Sequence, residues 1–231
     1  MDKNAPKEIF TSLDLEMNQP SGKIISIGAV VGNIKTGEIL DRLHIFVNPR
    51  ELISPYITEL TKIKQSDVDS AGTLEEGYNQ LKEMHLKYQS YLTPITWGGG
   101  DTQELFMQLK EENPEFQGWC FGRRWIDAKT LFISWRISNG QPLQGGLAKC
   151  MTKVGLKFFG QKHKSVDDAE NTFKIYLKLL ELLKVIKADT DQSKYWLEVD
   201  PETGNPTGEA CWAYFKDDKP TEGNWLLVKQ V

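Results

Sequence analysis

The stretch EIFTSLDLEM, residues 8–17, decides the fold, because its apolar residues alternate as they do in a β-strand. Successive side chains of a strand point to opposite faces, so Leu13 and Leu15 lie on one face and Asp14 and Glu16 on the other. Two carboxylates this close repel one another unless a cation neutralises them. A D-x-E pair is also common on the solvated face of a surface strand. The strand alone therefore predicts where the two acids point, but not whether they form a site.

Two more strand candidates follow directly, KIISIGAVVGN (23–33) and LDRLHIFVNP (40–49). They are joined through NIKTGE (33–38), whose Thr-Gly pair suits a hairpin turn. Three successive strands with such short links predict an antiparallel meander at the start of the chain.

Beyond residue 53 the pattern changes to helices that alternate with strands. Within residues 73–88, the spacing of Leu74, Tyr78 and Leu81 by three or four is that of one helix face, which His85 extends. Strands that alternate with helices imply crossover connections and parallel pairing. The chain therefore predicts an α/β fold with a mixed sheet flanked by helices. The remaining helix candidates are SPYITELTKI (54–63), DTQELFMQLKEE (101–112) and a long segment from Ser165 through residue 187, and the strand candidates are TPITWGG (93–99) and RRWIDAKTLF (123–132).

Residues 189–231 form the only candidate second unit, beside a main domain of residues 1–188. The chain after Lys187 becomes rich in turn residues and aromatic residues, which predicts a small β-rich C-terminal extension. Its tryptophans could stack nucleic-acid bases, cover a sheet edge or mediate a homodimer, and edge covering or self-packing is the favoured interpretation. These tryptophans are Trp196, Trp212 and Trp225.

The composition is that of a soluble globular protein, with 39% hydrophobic and 26% charged residues in a chain of 231. No apolar run reaches the roughly 18 residues of a membrane span, and the N-terminus lacks the apolar core of a signal peptide. We therefore expect a cytoplasmic protein without a membrane partner. The net charge of −4 argues against strong non-specific binding of nucleic acid. Cys120, Cys150 and Cys211 are widely spaced, so we expect buried thiols rather than a disulfide framework or a zinc site.

A third acid, Asp101, follows the run TWGGG (96–100) at the start of a helix candidate. An aspartate there is an ordinary N-cap, and the glycines fit a tight strand-to-helix turn. The same glycines would allow a ligand to approach the backbone closely. The run matches neither of the glycine-rich phosphate-loop patterns. Both interpretations of Asp101 stay open at this point.

The stretch HKSVDDAENT (163–172) opens the last helix with two adjacent acids that cannot share a role, because neighbours on a helix point about 100° apart. A helical wheel places Asp167 and Glu170 on the polar face, toward solvent, and Asp168 along the edge of the apolar face. A carboxylate at that edge needs a partner to keep its charge. Asp168 could form a capping box with Ser165, or it could bind a metal beside the acids of the first strand. Helix geometry does not choose between them.

Four acids and one histidine together match a known chemistry. Carboxylate oxygens can hold two divalent cations, which activate a water and stabilise the leaving oxygen in phosphodiester hydrolysis. A neutral imidazole, with an unperturbed pKa of about 6.5, can take the proton of that water at about pH 7. A single histidine before a helix is more often structural, but beside these acids His163 becomes a candidate general base.

Three motifs carry a resemblance to a known family. SLDLEM (12–17), TWGGGD (96–101) and HKSVDDAENT resemble, in order, the three exonuclease motifs of the DEDDh family, the DnaQ-like and RNase T-like 3′→5′ exonucleases. IISIGAVV (24–31) resembles the second strand of that family. The resemblance covers about residues 7–187 and includes the subgroup of histone-mRNA 3′-end, RNA-interference-linked and sporulation-inhibitor exonucleases. It implies a ribonuclease H-like fold with a mixed five-stranded sheet.

The resemblance also implies a role for each motif residue. Asp14 and Glu16 match the first motif, and Asp101 matches the second. Asp168 matches the metal-binding aspartate of the third motif, and His163 matches its general base. The four acids would bind two Mg²⁺ or Mn²⁺ ions, with Asp14 bridging both.

Other residues are implied to contact the substrate. Met17 resembles a residue that contacts the terminal nucleotide, and Asn18 and Gly100 are further substrate-binding candidates. Gly100 stands where the subgroup often has an aromatic residue, and Ser165 replaces a common alanine. A solvated surface position is the alternative for the basic residues that could guide the strand, Arg123, Arg124, Lys162 and Lys164.

The predicted function is therefore that of a metal-dependent 3′→5′ exonuclease. It would hydrolyse phosphodiester bonds at the 3′ end of single-stranded nucleic acid, with RNA favoured over DNA, and release nucleoside 5′-monophosphates. A catalytically silent nucleic-acid-binding or partner-docking protein on an exonuclease fold is the alternative. The complete acidic set argues against that alternative.

Overall fold

The first three strands form an antiparallel meander, as their alternating pattern predicts. The computed structural model describes residues 8–141, 145–190, 194–212 and 223–229. The strands are β1 (Ile9–Met17), β2 (Ile24–Asn33) and β3 (Ile39–Phe46). The turn between β2 and β3 closes where the N–H of Asn33 donates to the carbonyl of Glu38 at 2.9 Å. Gly37 of this turn has φ 79°, a left-handed conformation that glycine adopts without steric cost.

Two short strands, β4 (Ile95–Thr96) and β5 (Ile126–Asp127), extend the sheet by parallel pairing. The five-stranded order is β3-β2-β1-β4-β5, which confirms the mixed sheet. The expectation that TPITWGG and RRWIDAKTLF are strands throughout is wrong, because only two residues of each enter the sheet. The side chain of Asp127 accepts from the N–H groups of Lys129 and Thr130, at 2.9 and 3.1 Å, so a helix begins at once after β5.

Helices flank the sheet, and their starts follow the capping signals of the sequence. Ser54 caps the first helix by accepting from the N–H of Ile57 at 3.3 Å, and Thr73 forms a capping box with Glu76. The helices are α1 (Pro55–Thr61), α2 (Gln65–Asp69), α3 (Leu74–Lys87), α4 (Asp101–Glu112), α5 (Ala128–Ser138), α6 (Leu147–Lys153) and α7 (Ser165–Thr190). The residues predicted to form the buried face of α3 are all buried, namely Leu74, Tyr78, Leu81 and His85.

The main core lies on one face of the meander, where α3 and α4 pack. Leu13 and Leu15 of β1 contact this core, together with Leu81 of α3 and Leu105 of α4. Burying each such side chain stabilises the fold by about 2 kcal/mol. Because side chains alternate along β1, the same packing directs Asp14 and Glu16 to the opposite face of the sheet.

On that opposite face α7 crosses β2 at very short range. A Cβ atom added at Gly28 would lie 2.0 Å from the carbonyl carbon of Ser165, and one added at Gly32 would lie 2.5 Å from the ring of Phe173. Glycine is therefore required at both crossing points, because any side chain would push α7 away from the sheet. The start of α7 is thus held directly over β2.

Contacts along the chain divide it into two compact units, Met1–Leu179 and Leu180–Val231. The second unit contains an antiparallel sheet of order β7-β6-β8. A domain boundary at residues 188/189 stays a prediction. The side chains of the three tryptophans of this unit lie outside the described residues, so their predicted role stays a prediction as well. The strands are β6 (Lys194–Val199), β7 (Pro206–Trp212) and β8 (Trp225–Lys229).

Two expectations from composition concern cysteines and membranes. Cys150 is buried and Cys120 is half-buried, and both are free thiols, whereas the side chain of Cys211 lies outside the described residues. Among the helices that the structure describes, none combines the length and apolarity that crossing a bilayer requires.

Candidate active site

The carboxylates of β1 lie under the N-terminus of α7. In the β1–β2 register Asp14 is opposite Gly28, and Glu16 is opposite Ser26. Ser26 and Ser165 share a hydrogen bond of 2.7 Å between their Oγ atoms, which fastens the helix start to the sheet. Glu16 is only 8% exposed and Asp14 is half-buried, so neither belongs to a solvated strand face. The surface interpretation of this acid pair is wrong.

His163 and Asp168 meet these acids from the start of α7. The N–H of His163 donates to Oδ2 of Asp168 at 2.9 Å, which holds the histidine backbone at φ 60°. A left-handed conformation is uncommon outside glycine, although histidine adopts it more often than most residues, and it is found at functional sites. One ligand atom each of Glu16, His163 and Asp168 lie within 4.8 Å of one another. Metal-binding groups of this kind use such spacings.

The capping-box alternative for Asp168 is not realised. A capping box would require the carboxylate of Asp168 to accept from the N–H of Ser165. The carboxylate accepts instead from His163, and the hydroxyl of Ser165 bonds to Ser26. Asp168 is therefore free to present its second oxygen to the acidic cluster.

Asp101 reaches the cluster from the first position of α4, directly after the loop that follows β4. It is the first helical residue and Gly100 is the N-cap, so the interpretation of Asp101 as an N-cap is wrong. The loop is fixed from β5, because the N–H of Gly98 donates to Oδ1 of Asp127 at 3.0 Å. Burial first, and then the charges of Asp127 and Glu104, raise the pKa of Asp101 to about 7.

The other three acids also hold their protons more tightly than usual. Burial, and then the neighbouring carboxylates of the cluster, raise the pKa of Asp14 well above its ordinary value. Burial, followed by the charges of Asp168 and Asp101, raises the pKa of Glu16 to about 8. Burial raises the pKa of Asp168 to about 6, although the hydrogen bond from the N–H of His163 opposes the shift. The cluster therefore contains more negative charge than the fold alone tolerates near neutral pH.

Within the described residues, no lysine or arginine forms an ion pair with Asp14, Glu16, Asp101 or Asp168. Carboxylate oxygens with an imidazole nearby are ligands that Mg²⁺ and Mn²⁺ accept. A divalent cation would remove the repulsion that raises these pKa values, because it favours the ionised carboxylates. The residues present thus fit a divalent metal site.

The polar face assigned to α7 is partly wrong. Oδ2 of Asp167 accepts from the N–H of Gln161 at 2.8 Å, and its side chain is only 15% exposed. Asn171 is fully buried, and its Oδ1 accepts from the N–H of Phe159 at 2.9 Å. Glu170 is 3% exposed. The wheel failed here because it treats the helix as isolated, whereas the preceding loop folds back over this face.

The three predicted substrate-binding residues lie next to the acids in the chain and have different environments. Met17 follows Glu16 at a β-bulge and packs partly into the core. Gly100 has open space where a side chain would project. Asn18 is 2% exposed, and Oδ1 of its amide accepts from the N–H of Ser54 at 2.9 Å, so it supports the loop before α1. That these three residues contact a substrate stays a prediction.

Among the predicted basic residues, Lys162 precedes His163 directly and lies in the same groove. This groove has a volume of about 540 Å³ and is also lined by α1. Lys164 lies 4.0 Å from Oδ2 of Asp167. Arg123 and Arg124 are exposed in the loop before β5, and a role in guiding the strand stays a prediction for both.

Sequence reasoning missed the residues that assemble the site. Gly28 sits inside an apolar strand pattern, and only the approach of α7 reveals its role. Asp127 was assigned to the middle of a strand, although it caps α5 and holds the loop that carries Asp101. An isolated glycine in a strand is a signal for close approach and could have been used.

Comparison with known proteins gives a family. The model of the RNase T family, described as exonuclease, matches residues 10–176. ERI1 exoribonuclease 2 of Mus musculus is 29% identical over 192 residues, which cover 73% of this chain and 27% of that protein. The 3′-5′ exonuclease Snipper of Drosophila melanogaster is 26% identical over 176 residues, covering 68% of this chain and 61% of that protein. The chain therefore spans less than two thirds of the length of these relatives.

Solved structures give the same fold. The nuclease domain of 3′hExo, a DEDDh family member bound to rAMP, has a TM-score of 0.65 at 21% identity and covers 78% of this chain and 94% of that one. A 3′-exonuclease that recognises the 3′ end of the histone mRNA stem-loop has a TM-score of 0.65 at 18% identity, with 96% of both chains covered. Together with the family match, they show that the chain belongs to the DEDDh family of 3′→5′ exonucleases, with a ribonuclease H-like fold.

Proposed function

We propose that the protein is a 3′→5′ exonuclease that requires divalent metal ions and acts on single-stranded nucleic acid, with RNA favoured over DNA. The observation that carries the proposal is the approach of Glu16, Asp168 and His163, whose ligand atoms lie within 4.8 Å of one another in a cluster of acids that no described lysine or arginine pairs with. Names of relatives such as ERI1 exoribonuclease 2 support the preference for RNA.

The cofactor would be two Mg²⁺ or Mn²⁺ ions, held by Asp14, Glu16, Asp101 and Asp168. When bound, such ions supply positive charge that activates a water and stabilises the leaving oxygen. The raised pKa values of the acids support this assignment, because binding of cations would release the protons that the acids otherwise retain.

His163 would act as the general base. An imidazole nitrogen takes a proton from the attacking water, whose oxygen forms a bond to the last phosphorus of the strand. The bond from that phosphorus to the 3′ oxygen of the preceding nucleotide breaks, and this oxygen takes up a proton. The products are a nucleoside 5′-monophosphate and a strand shorter by one nucleotide with a free 3′ hydroxyl. Asp168 assists by fixing the His163 backbone through the 2.9 Å hydrogen bond.

Met17, Asn18 and Gly100 would contact the terminal nucleotides. Open space at Gly100 leaves room for a base or sugar next to Asp101, which supports this role. Asn18 would contact a nucleotide through its position after Met17 rather than through a free polar group, because its side chain bonds to Glu51, Leu52 and Ser54 and its backbone bonds to Gly22 and Lys23.

The test is a digestion of matched single- and double-stranded RNA and DNA with Mg²⁺ or Mn²⁺. The proposal expects single-nucleotide shortening from the 3′ end, release of 5′-monophosphates, and complete loss of activity in EDTA that returns when either metal is restored. Binding of a strand without any cleavage under all these conditions would establish the catalytically silent alternative. Cleavage that persists in EDTA would overturn the metal mechanism.

A further inference from the structure

A groove beside His163 lies between two segments of the chain, and its other lining residues have no part in the catalytic chemistry. One wall is α1 with Lys62, the residue that follows it, and the other wall is residues 161–163. Its volume is about 540 Å³, enough for part of a nucleic-acid strand. One end of the groove therefore opens at the proposed general base.

The two walls are fastened to each other and to the acidic cluster. Nε2 of Gln161 donates to the carbonyl of Thr61, the last residue of α1, at 3.1 Å. The N–H of Gln161 donates to Asp167 at 2.8 Å, and that of His163 donates to Asp168 at 2.9 Å. The groove thus keeps a fixed position relative to the site, as a binding surface next to a catalytic centre requires.

Lys62 adopts a left-handed backbone conformation, which glycine adopts more easily than any other residue. It ends α1 with φ 66° and ψ 9°, and its N–H donates to the carbonyl of Thr58 at 3.0 Å. Glycine is the common residue at this position of a helix, because a Cβ atom makes the left-handed conformation costly. The side chain of Lys62 is exposed and forms no hydrogen bond or ion pair with the residues that the structure describes. The dipole of α1 favours a cation at this end of the helix, but it offsets only part of the cost of a left-handed residue with a Cβ atom, so the folding of α1 does not fully account for a lysine here.

The charges of the groove suit a strand of nucleic acid. The groove is lined by one lysine from each segment, Lys62 and Lys162, and Glu59 is the acid among the lining residues. Tyr56, 65% exposed at the start of α1, adds an aromatic surface of the kind on which bases stack. A phosphodiester carries one negative charge, which matches the excess of cations between the walls.

We propose that Lys62 binds the phosphodiester adjacent to the scissile one. This contact explains why a lysine occupies the left-handed position in spite of its conformational cost. The inference deepens the proposed function and rests on it. Lys162 assists from the opposite wall. Loss of the Lys62 charge weakens binding of the strand and leaves the chemical step unchanged, because the lysine does not touch the scissile phosphate.

The first experiment pairs the variant Lys62→Gln with a strand whose second linkage from the 3′ end is a neutral methylphosphonate. In initial-rate measurements of the removal of the last nucleotide, each change alone raises KM by about threefold to tenfold and leaves kcat in place. When both changes are combined, the loss equals that of either one, because the interaction is already absent. Losses that multiply would overturn the proposal.

The second experiment uses Lys62→Gly, which separates the fold from the binding role. This variant melts about 2 °C higher than the wild type, because the left-handed strain is relieved, yet it shows the same rise in KM as Lys62→Gln. The slope of log KM against log salt concentration falls by about 0.7 in both variants, as for one lost phosphate contact on a single strand. A variant with an unchanged KM and salt slope would show that Lys62 is only a helix end.

Lys153→Gln is the matched control, because Lys153 is exposed at the end of α6 and does not line the groove. It loses the same charge and keeps the KM and salt slope of the wild type. An equal effect at Lys153 would reduce the result to overall charge and overturn the proposal. Failure of the wild type to shorten any strand refutes the proposed function, whereas normal cleavage with unaltered Lys62 variants refutes only this inference.

Discussion

Two acids of α7 that are separated by one residue are treated in opposite ways by the fold. Glu170 is 3% exposed, and its carboxylate pairs with Nε of Arg42 at 2.7 Å and Nζ of Lys174 at 2.6 Å. Burial by itself would raise the pKa of Glu170, but the hydrogen bonds from these two cations outweigh it and lower the pKa. Asp168 lies beside the acids of β1, and burial raises its pKa to about 6, although the hydrogen bond from the N–H of His163 opposes the shift.

The difference shows which buried acid is compensated by the chain itself and which one needs a ligand. A buried carboxylate is stable when charged only if cations or hydrogen bonds compensate it. Around Glu170 the chain supplies both cations itself. Around Asp168 it supplies more acids, which is useful only when a cation arrives from solution.

The largest expected effect is on catalysis, from Asp168→Asn. The asparagine keeps an oxygen that can accept from the N–H of His163 but loses the charge that binds metal. We expect the single-turnover rate to fall by about a thousandfold, while the metal-free protein melts no lower than the wild type. A variant with nearly normal cleavage would show that Asp168, like Glu170, serves only the fold.

The next effect is on the packing that brings α7 to β1, from Gly28→Ala. The new methyl group would overlap the backbone of Ser165, which we expect to cost about 3 kcal/mol of unfolding free energy and to reduce cleavage, since the acids move apart. Urea denaturation and the cleavage rate measure the two consequences. Gly146→Ala is the control, because its added Cβ meets nothing within 4 Å; as the N-cap of α6 it should lose no more than about 1 kcal/mol and cleave as the wild type does. Equal behaviour of the two variants would mean that α7 has room to move.

A smaller effect is expected from Glu170→Gln, at the compensated end of the comparison. The substitution leaves Arg42 and Lys174 without their anion, and both cations keep partial access to water. We therefore expect a loss of about 2 kcal/mol in unfolding free energy, with cleavage per folded molecule unchanged. Denaturant titration and an activity assay at saturating metal check this, and a stabilised variant would contradict the role assigned to the ion pairs.

The smallest effect is a pH dependence of the metal-free protein between pH 6.5 and about pH 8. The pKa of Glu16 is about 8 in the folded protein, against about 4.3 in an unfolded chain. The folded state therefore holds a proton that the unfolded state has lost, and stability falls as the pH rises through this window, by about 1 to 2 kcal/mol. Buried His85, with a pKa of about 4, destabilises only at lower pH, where the unfolded chain binds its proton.

Glu16→Gln should reduce this pH dependence, and Mg²⁺ should raise the melting temperature of the wild type more at pH 8 than at about pH 6.5. Thermal unfolding of the metal-free and metal-loaded proteins measures both. A wild-type profile that rises with pH in this window would have the wrong sign for raised carboxylate pKa values.

Local sequence patterns predicted the strands and helices that bury one face and expose the other. The alternation in β1 placed Asp14 and Glu16 together, and the spacing in α3 identified its buried residues. Burial on one side of a strand or helix leaves such a period in the sequence. The resemblance of three motifs to the DEDDh family then connected acids that are distant along the chain.

What the sequence could not predict depends on contacts between distant segments. The wheel assigned Asp167 and Glu170 to solvent, although a loop covers one and an arginine from β3 pairs with the other. The lengths of β4 and β5 were overestimated, because Asp127 begins a helix where the pattern continues as a strand. Gly28 leaves no periodic pattern in the sequence. It matters because it has no Cβ atom, which lets α7 approach the sheet closely.

The loop before α7 has a further property, because every second amide from Phe159 to His163 donates to a side chain of that helix. The acceptors are Asn171, Asp167 and Asp168, at 2.9, 2.8 and 2.9 Å. Exchange of these three amide hydrogens with deuterium requires the loop to separate from α7. They are therefore built-in reporters of the opening of the site, and the His163 amide records whether the carboxylate of Asp168 stays in place when metal or nucleotide binds.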